Sequence, residues 1–296
     1  PLCLGVGIPM ALMVLGGDPQ MAYNVGLLAA LYLLIAWVRC RPGHTAAGPF
    51  GQRLRLRICW EPVCRASGLL GAAAIVALAL SSVQVLPSAQ LTSQSDRQTP
   101  CWSDRLWGNL EPGSHHAHTY HFSVAPWRLA ELVWPNVSGR QYPIHRRWLE
   151  VIPAEGRVWT PTLYMGLFPL VLALSRLRFR RGPIYERWLT WVAVLATVAS
   201  FGYYGLGWLL AECRVDSGVG GPFGGLYWLM NLLLPGYLRF RYPAKLLVLA
   251  ALAVSVLAAK GWDRTFAGSA RSVRRLLVTI CVWSLVGLTV SFAIAP

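Results

Sequence analysis

Residues 246–259 read LLVLAALAVSVLAA, residues 260–275 read KGWDRTFAGSARSVRR, and residues 276–295 read LLVTICVWSLVGLTVSFAIA. Two apolar runs therefore enclose a segment with five basic residues and one acidic residue. A helix that crosses a bilayer needs about 20 apolar residues, and runs of this kind reach or approach that length. The same alternation recurs along the whole chain, and it decides the fold class.

The positive charge is sorted in register with the apolar runs. Residues 39–65 and 176–187 hold six and five basic residues against one acidic residue each, and with residues 260–275 they carry +13 of the formal net charge of +15. Because Lys and Arg are enriched in cytoplasmic loops, we expect these three loops on the cytoplasmic side of the membrane. Such sorting, with only 13% charged residues, argues against nucleic acid as a partner and for membrane lipids.

The pattern predicts an all-α polytopic transmembrane helical bundle of about seven spans, a class in which hydrophobic runs alternate with charged loops. The predicted spans are residues 2–15, 21–38, 66–86, 163–174, 188–210, 246–259 and 276–295. Pro87 is expected to end the third span, because proline breaks helices. The chain begins at Pro1 without Met or a signal peptide, so residues 1–296 are interpreted as one membrane domain from a longer protein.

Two outer segments are more than connectors. Residues 87–160 form a long outer loop, in which residues 126–133 (PWRLAELV) predict a short interfacial helix. In the second outer segment, residues 211–245, the nine apolar residues 226–234 (LYWLMNLLL) stand between Gly-Gly and Pro-Gly. At 1.5 Å per residue they give a helix of about 14 Å, which is too short to span. We therefore expect a re-entrant or interfacial half-helix.

Three cations follow the half-helix on the outer side. Residues 237–245 read YLRFRYPAK and contain Arg239, Arg241 and Lys245 among three aromatic residues. Since the planar guanidinium suits two-pronged phosphate binding, these cations are candidates to bind a lipid phosphate. The alternative is that they reach ordinary phospholipid headgroups by snorkelling.

Single polar residues give weaker candidates. Asp18, in the outer turn GGDPQ at residues 16–20, is a candidate catalytic base or metal ligand, or else a turn residue that bonds its own backbone. Gln84, within the third predicted span, either lines a cavity or bonds to a neighbouring helix.

The outer loops also contain histidines and cysteines. His115, His118 and His121, in HHAHTYH, are weak candidates for a divalent metal site, with a solvated polar loop as the alternative. No cofactor is identified. Cys101 and Cys213 either form a disulfide in an oxidising compartment or stay unpaired.

Several stretches together resemble the YfhO-type family of bacterial polytopic membrane proteins, which are related to the GT-C class of lipid-dependent glycosyltransferases. They are LGGDPQMAYNV at 15–25, VQVLPSAQLTSQSDR at 83–97, FSVAPWRLAELVWPNVSGR at 122–140, YMGLFPLVLALS at 164–175, and LPGYLRFRYPAKL at 234–246.

The resemblance implies transfer of a sugar from a polyprenyl-phosphate donor to an acceptor in the cell envelope. It also implies that the main catalytic carboxylate lies in an outer loop before Pro1, and that Arg239 and Arg241 face the phosphate. Two further functions remain open: a transporter or lipid flippase, and a non-catalytic scaffold in envelope assembly. A transporter is expected to have two related halves with matching broken helices, whereas one half-helix is predicted here.

Overall fold

The computed structural model describes residues 2–40, 49–94, 102–111, 113–135, 137, 160–215, 218–267 and 270–294. Within these residues all regular structure is helical. The chain divides into two compact units, Pro1–Gln98 and Thr99–Pro296. Parts of the predicted loops, residues 41–48 and 138–159, and Cys101 lie outside the described residues. The single domain predicted over residues 1–296 stays a prediction.

Eleven α-helices occur in the described part of the chain. The first unit contains α1 (Leu2–Leu15), α2 (Pro19–Cys40) and α3 (Pro49–Ser93). The second unit contains α4 (Trp102–Trp107), α5 (His115–Thr119), α6 (Leu167–Arg176), α7 (Ile184–Ser200), α8 (Leu206–Glu212), α9 (Leu226–Leu233), α10 (Leu247–Phe266) and α11 (Ala270–Ile294). Three 3₁₀ segments, Pro126–Leu132, Tyr237–Arg239 and Pro243–Leu246, also belong to the second unit.

Small residues bring the helices of the first unit together. A Cβ atom added to Gly7 of α1 would lie 2.7 Å from the carbonyl oxygen of Ala73 in α3, and Ala11, Ala73 and Ala77 are buried. Glycine and alanine let helix backbones approach closely where lipid surrounds them. The large apolar side chains point outward instead, and Val83 is 81% exposed.

The second unit is built around α10. Its Gly261 approaches α6 so closely that an added Cβ atom would lie 2.4 Å from the carbonyl oxygen of Leu172. The core between these helices and α11 consists of Leu172, Ala173, Leu257, Ala258 and Leu276. Here too, large apolar side chains are exposed, among them Val248, Leu252 and Leu285.

Three helical stretches among the described residues are long and apolar enough to cross a bilayer: Pro19–Ala36, Cys64–Ser93 and Pro243–Phe266. Cys3–Leu15 and Leu167–Arg176 are shorter apolar helices. Exposed apolar surface of this extent is stable in lipid rather than in water. The chain is an all-helical membrane protein, which confirms the predicted class. The count of seven spans and the orientation of the loops stay predictions.

The third predicted span does not end at Pro87, because α3 continues to Ser93. Proline removes one backbone donor and crowds the carbonyl one turn back. Pro87 lies within the last two turns of α3, where the hydroxyls of Thr92 and Ser93 each lie 2.7 Å from a carbonyl oxygen of the same helix. At its other end α3 begins at Pro49, so the basic segment 39–65 is partly helical and is not simply a loop.

The fourth and fifth predicted spans also differ from the structure. Residues 163–166 are not helical, and α6 begins at Leu167 after Gly166, which has φ +96°. The fifth span is two helices, since α7 ends at Ser200 and α8 begins at Leu206. Gly202, between them, has φ +49°, and an added Cβ atom would lie 2.3 Å from Ser123 Oγ. A helix cannot continue through that conformation.

The last two predicted spans extend further than expected. Their helices, α10 and α11, reach into the basic segment 260–275, because α10 continues to Phe266 and α11 begins at Ala270. The two short elements predicted for the outer side agree better in position. A short helix is confirmed as α9, which begins after Gly225 and ends at Leu233, and its re-entrant or interfacial placement stays a prediction. The short helix expected at 126–133 is the 3₁₀ segment Pro126–Leu132.

Candidate functional site

The three predicted cations lie on a turn between α9 and α10, which we call the cationic turn (residues 237–245). It starts after Gly236, whose φ of +73° turns the chain out of α9. The 3₁₀ segment Tyr237–Arg239 follows, and the 3₁₀ segment Pro243–Leu246 leads into α10. Arg239 is exposed, whereas Arg241 and Lys245 are half-buried.

Arg241 is oriented by a histidine from a distant segment. Its Nη2 atom lies 2.8 Å from Nδ1 of His115 in α5. A guanidinium can only donate, so Nδ1 of His115 accepts and the proton of the neutral ring is on Nε2. The Nε atom of Arg241 is buried and has no hydrogen-bond partner among the described residues. A buried donor of this kind suits an anionic ligand, because an unsatisfied polar group is costly to keep.

Tyr242 holds the centre of the turn. It has φ +69°, and Phe122, which has φ +60°, packs edge-to-face against it with the ring centroids 4.8 Å apart. Positive φ is uncommon outside glycine and clusters at functional sites. Lys245 Nζ lies 6.0 Å from the centroid of the Tyr242 ring, within reach of a cation–π interaction. The turn is therefore fixed in one conformation.

The start of the turn belongs to an aromatic layer of four residues: Tyr120 and Tyr227, and from the turn itself Tyr237 and Phe240. Successive rings meet edge-to-face with centroids 5.7, 5.6 and 5.5 Å apart. The three tyrosines are nearly completely buried. Edge-to-face pairs of this kind stabilise a core beyond the area that they bury, so the cationic turn stands on a rigid base.

Two polar residues tie this layer to α4. Asn231 of α9 is buried, and its Nδ2 donates to the hydroxyl of Tyr120 at 3.2 Å. Its backbone carbonyl accepts a hydrogen bond from Arg105 Nη2 at 2.9 Å. In return, Trp228 Nε1 donates to the carbonyl of Arg105 at 2.9 Å. The half-helix is thus held by side-chain bonds to α4 and to the segment after α5.

Burial disfavours charge on His116 and Tyr120, whose rings meet edge-to-face at one end of the layer. Burial is the largest cause that lowers the pKa of His116 below its ordinary value, and a hydrogen bond to the backbone of Asn109 opposes it. Burial also raises the pKa of Tyr120. A neutral, low-dielectric base strengthens the attraction between the cations above it and an anion.

The sequence predicts the three cations as site residues but does not predict the residues that hold the turn and α9 in place. Arg105, Tyr120 and Asn231 were not predicted as site residues, although Asn231 is the single polar residue in the apolar run LYWLMNLLL. That isolated amide was the available signal. Arg105 lies in a short polar segment without periodicity, and nothing in the sequence marks it as a site residue.

The other predicted site residues have local contacts. In the first unit, Asp18 Oδ1 accepts a hydrogen bond from the backbone N–H of Met21 at 3.3 Å and so caps α2. The amide nitrogen of Gln84, oriented as a donor, lies 3.2 Å from the carbonyl oxygens of Val14 and Leu15 at the end of α1. These contacts match the structural alternatives, and a role for either residue in function stays a prediction.

The histidines predicted as weak metal ligands are engaged differently. His115 binds Arg241, and Nδ1 of His118 donates to the carbonyl oxygen of Ser114 at 2.6 Å. The rings of His118 and His121 meet edge-to-face with centroids 4.5 Å apart. Within the described ranges, no group of three or more His, Cys, Asp or Glu is arranged to hold a metal ion. Cys213 is an exposed free thiol.

Comparison with known proteins gives one distant relative. The chain is 23% identical over 187 residues to the membrane-bound acylglycerophosphatidylinositol O-acyltransferase MBOAT7 of Bos taurus. The similarity covers 61% of this chain and 37% of the length of the relative. No family model matches the chain, and no solved structure matches it.

Proposed function

We propose that this chain is part of a membrane enzyme that acts on a phosphate-bearing lipid, and that the cationic turn binds the phosphate. The observation that carries the proposal is the state of Arg241. His115 holds one of its nitrogens, and a second buried nitrogen lacks a partner in the described structure. Arginine presents its donors in a planar fork that matches phosphate oxygens. Arg239 and Lys245 add charge on either side.

The reaction that the resemblance to GT-C enzymes favours is transfer of a sugar from a polyprenyl phosphate. A hydroxyl of the acceptor attacks the anomeric carbon, and the bond between that carbon and the phosphate oxygen breaks. The lipid phosphate leaves with the electron pair, and a base takes the proton of the hydroxyl. Fixed cations stabilise the charge that develops on the leaving phosphate. On this proposal the enzyme acts at the outer face of a bacterial inner membrane.

The distant similarity to the cattle acyltransferase supports a second candidate, transfer of an acyl group to a lysophospholipid. The name of that relative describes an enzyme acting on a lipid that carries phosphate. Both candidates need the same anion at the cationic turn and differ in the group that is transferred. The transporter and scaffold alternatives require no transfer reaction.

The test replaces arginine by lysine, which keeps the charge and removes the fork. The variants are Arg239→Lys, Arg241→Lys and the pair, in the full-length protein in lipid nanodiscs, with Arg180→Lys at an exposed position as control. Losing one charge-assisted hydrogen bond costs about 1.5–3 kcal/mol, so affinity for a polyprenyl phosphate should fall roughly ten- to a hundredfold. Membrane abundance is measured alongside to exclude loss of protein.

Unchanged affinity and turnover in the double variant would leave snorkelling to ordinary headgroups as the better account. The transferred group is identified by mass spectrometry of the product lipid after incubation with a polyprenyl-phosphate sugar or with an acyl donor and a lysophospholipid. A gain of hexose supports the first candidate, and a gain of an acyl chain supports the second. Binding of the lipid without any product would contradict both.

A further inference from the structure

A cavity of about 230 Å³ opens where α7 ends. It lies between the end of α7, the helix α8 and the start of α9. Its lining is almost entirely apolar or glycine, and the side chains of Val198, Leu206 and Leu209 are 41%, 55% and 49% exposed. The cavity is therefore open and suited to hydrocarbon rather than to a charged ligand.

Four glycines line the cavity, Gly202, Gly205, Gly224 and Gly225, and the backbone behind them is closely packed. The turn at residues 218–225 packs directly on the backbone of α8, because a Cβ atom added to Gly207 would lie 2.0 Å from the carbonyl oxygen of Gly220. The backbone groups at this contact are bonded: Trp208 N donates to the carbonyl of Gly221 at 3.0 Å, and Gly207 N donates to that of Phe223 at 3.1 Å. With these groups satisfied across a rigid contact, little polar surface is left for the cavity.

Aromatic residues border the cavity on one side. Tyr204 and Trp208 are part of its lining, and Trp127 of the 3₁₀ segment Pro126–Leu132 packs against both, with centroids 5.3 and 6.1 Å away. Tyrosine and tryptophan are enriched at the level where lipid chains meet headgroups. The border therefore suits the part of a lipid next to its phosphate.

The cavity shares a wall with the cationic turn. Gly202 lines the cavity, and an added Cβ atom there would lie 2.5 Å from Cγ of Pro243. Pro243 stands midway between Arg241 and Lys245 in the sequence. The backbone of the cationic turn at Pro243 therefore lies directly against Gly202, which is part of the cavity wall.

We infer that this cavity holds the hydrocarbon chain of the lipid whose phosphate binds at the cationic turn. The inference rests on the proposed function and adds the second half of the substrate. The volume of about 230 Å³ is many times the roughly 10–15 Å³ that a single water needs, so the cavity has room for several methylene groups. The cavity thus takes the segment of chain nearest the phosphate, and the rest of the chain lies in the bilayer.

The test measures how affinity depends on chain length. The probes are butyl, octyl and dodecyl phosphate, and the readout is saturable equilibrium binding to the full-length protein in nanodiscs, with empty nanodiscs subtracted. The wild-type protein should bind octyl phosphate more tightly than butyl phosphate, by up to about fourfold for each added methylene. Dodecyl phosphate should gain further through the methylenes that reach the bilayer, and that part of the gain should be the same in the wild type and in the cavity variants.

Val198→Trp fills the cavity and should abolish the gain from butyl to octyl phosphate, while butyl phosphate binds as before. Leu209→Trp, on another part of the lining, should do the same, and it keeps the test valid if Val198→Trp does not fold. The control is Leu195→Trp, one turn earlier on α7, since Leu195 is 46% exposed and lies outside the lining of the cavity. It should behave as the wild type.

If octyl phosphate still binds more tightly than butyl phosphate to both cavity variants, by the same factor as in the wild type, the inference is overturned and the proposed function is unaffected. The increase in affinity from butyl to octyl phosphate could instead be lost in the cavity variants while Arg239→Lys and Arg241→Lys leave octyl phosphate binding unchanged. That result would overturn the phosphate site of the proposed function. Octanol that binds as tightly as octyl phosphate would show a site for any bulk lipid chain, and would overturn the link between the cavity and the phosphate.

Discussion

Removing the carboxylate of Glu131 should destabilise the second unit strongly without touching the cationic turn. Glu131 is 2% exposed and accepts from Arg128 Nε at 2.9 Å and Arg128 Nη2 at 2.8 Å. It also accepts from the backbone N–H of Leu163 at 3.2 Å, and Arg128 Nη2 donates to the carbonyl of Thr160 at 3.0 Å. This pair joins the 3₁₀ segment Pro126–Leu132 to the residues before α6.

Glu131→Leu leaves the partly buried charge of Arg128 with its hydrogen bond to Thr160 but without its ion-pair partner, a loss that costs about 3–5 kcal/mol in a buried pair. For a unit of this size each kcal/mol lowers Tm by about 2–4 °C, so a fall of roughly 6–20 °C is expected. The assay is intrinsic-fluorescence thermal unfolding in detergent, with Glu212→Leu as the exposed control. A fall of less than about 2 °C, no larger than in the control, would refute a buried structural ion pair and reopen Glu131 as a functional carboxylate.

Three further predictions concern other parts of the molecule. Gly7→Ala should destabilise the first unit by about 1–3 kcal/mol, because the added Cβ atom would clash with α3. Gly5→Ala, on the same helix but with open space around it, should stabilise the unit by about 0.5–1 kcal/mol. Chemical unfolding measures both changes in the free energy of unfolding. Burial lowers the pKa of His116 in the folded protein. Just below the ordinary histidine pKa of about 6.5, the unfolded chain therefore binds more protons than the folded protein, and the free energy of unfolding should rise with pH in that range. The substitution His116→Phe should make this rise smaller. With Cys213, an exposed free thiol, and the other native cysteines replaced by serine, an impermeant thiol reagent added from outside should label a cysteine at Glu111 but not one at Arg178, if the charge rule sets the orientation.

Each of these has a contrary result. Equal effects of the two glycine variants would mean that α1 and α3 do not meet at Gly7. A slope of stability against pH that is unchanged in His116→Phe, while His121→Gln alters it, would assign the titration to another histidine. Labelling of a cysteine at Arg178 from outside would invert the predicted topology.

The class of the fold and several boundaries could be predicted because they depend on local chemistry. The breakers Gly225 and Pro235 bracket α9, and the turn GGDPQ separates α1 from α2 as predicted. The break after α7 could not be predicted. It depends on the approach of Ser123 and Pro243 to Gly202, and these contacts join residues far apart in the sequence. Pro87 shows the reverse error, since α3 continues past it to Ser93, and helices in membranes tolerate proline where other groups satisfy the freed backbone carbonyl.

In the candidate site, too, local features could be predicted from the sequence and long-range contacts could not. Its cations stood out from the sequence, because three positive residues between aromatics are unusual in a segment that the charge rule predicts to be on the outer side. Their partners did not, since His115 lies 126 residues from Arg241, and Asn231 lies 111 residues from Tyr120. His115 was instead grouped with its neighbours as a metal ligand. Pairing over such separations is set by the packing of the whole unit and has no local signature.

The central claim is that Arg241 contacts a lipid phosphate, and solid-state NMR can measure that contact directly. The measurement is dipolar recoupling between ¹⁵N-labelled arginine side chains and the ³¹P nucleus of octyl phosphate bound to the full-length protein. Charge-assisted N–H···O bonds of about 2.7–2.9 Å predict a nitrogen-to-phosphorus distance of about 4 Å, and the signal should disappear in Arg241→Lys. Saturable binding of octyl phosphate with no arginine dephasing, or with dephasing that persists in Arg241→Lys, would contradict the account.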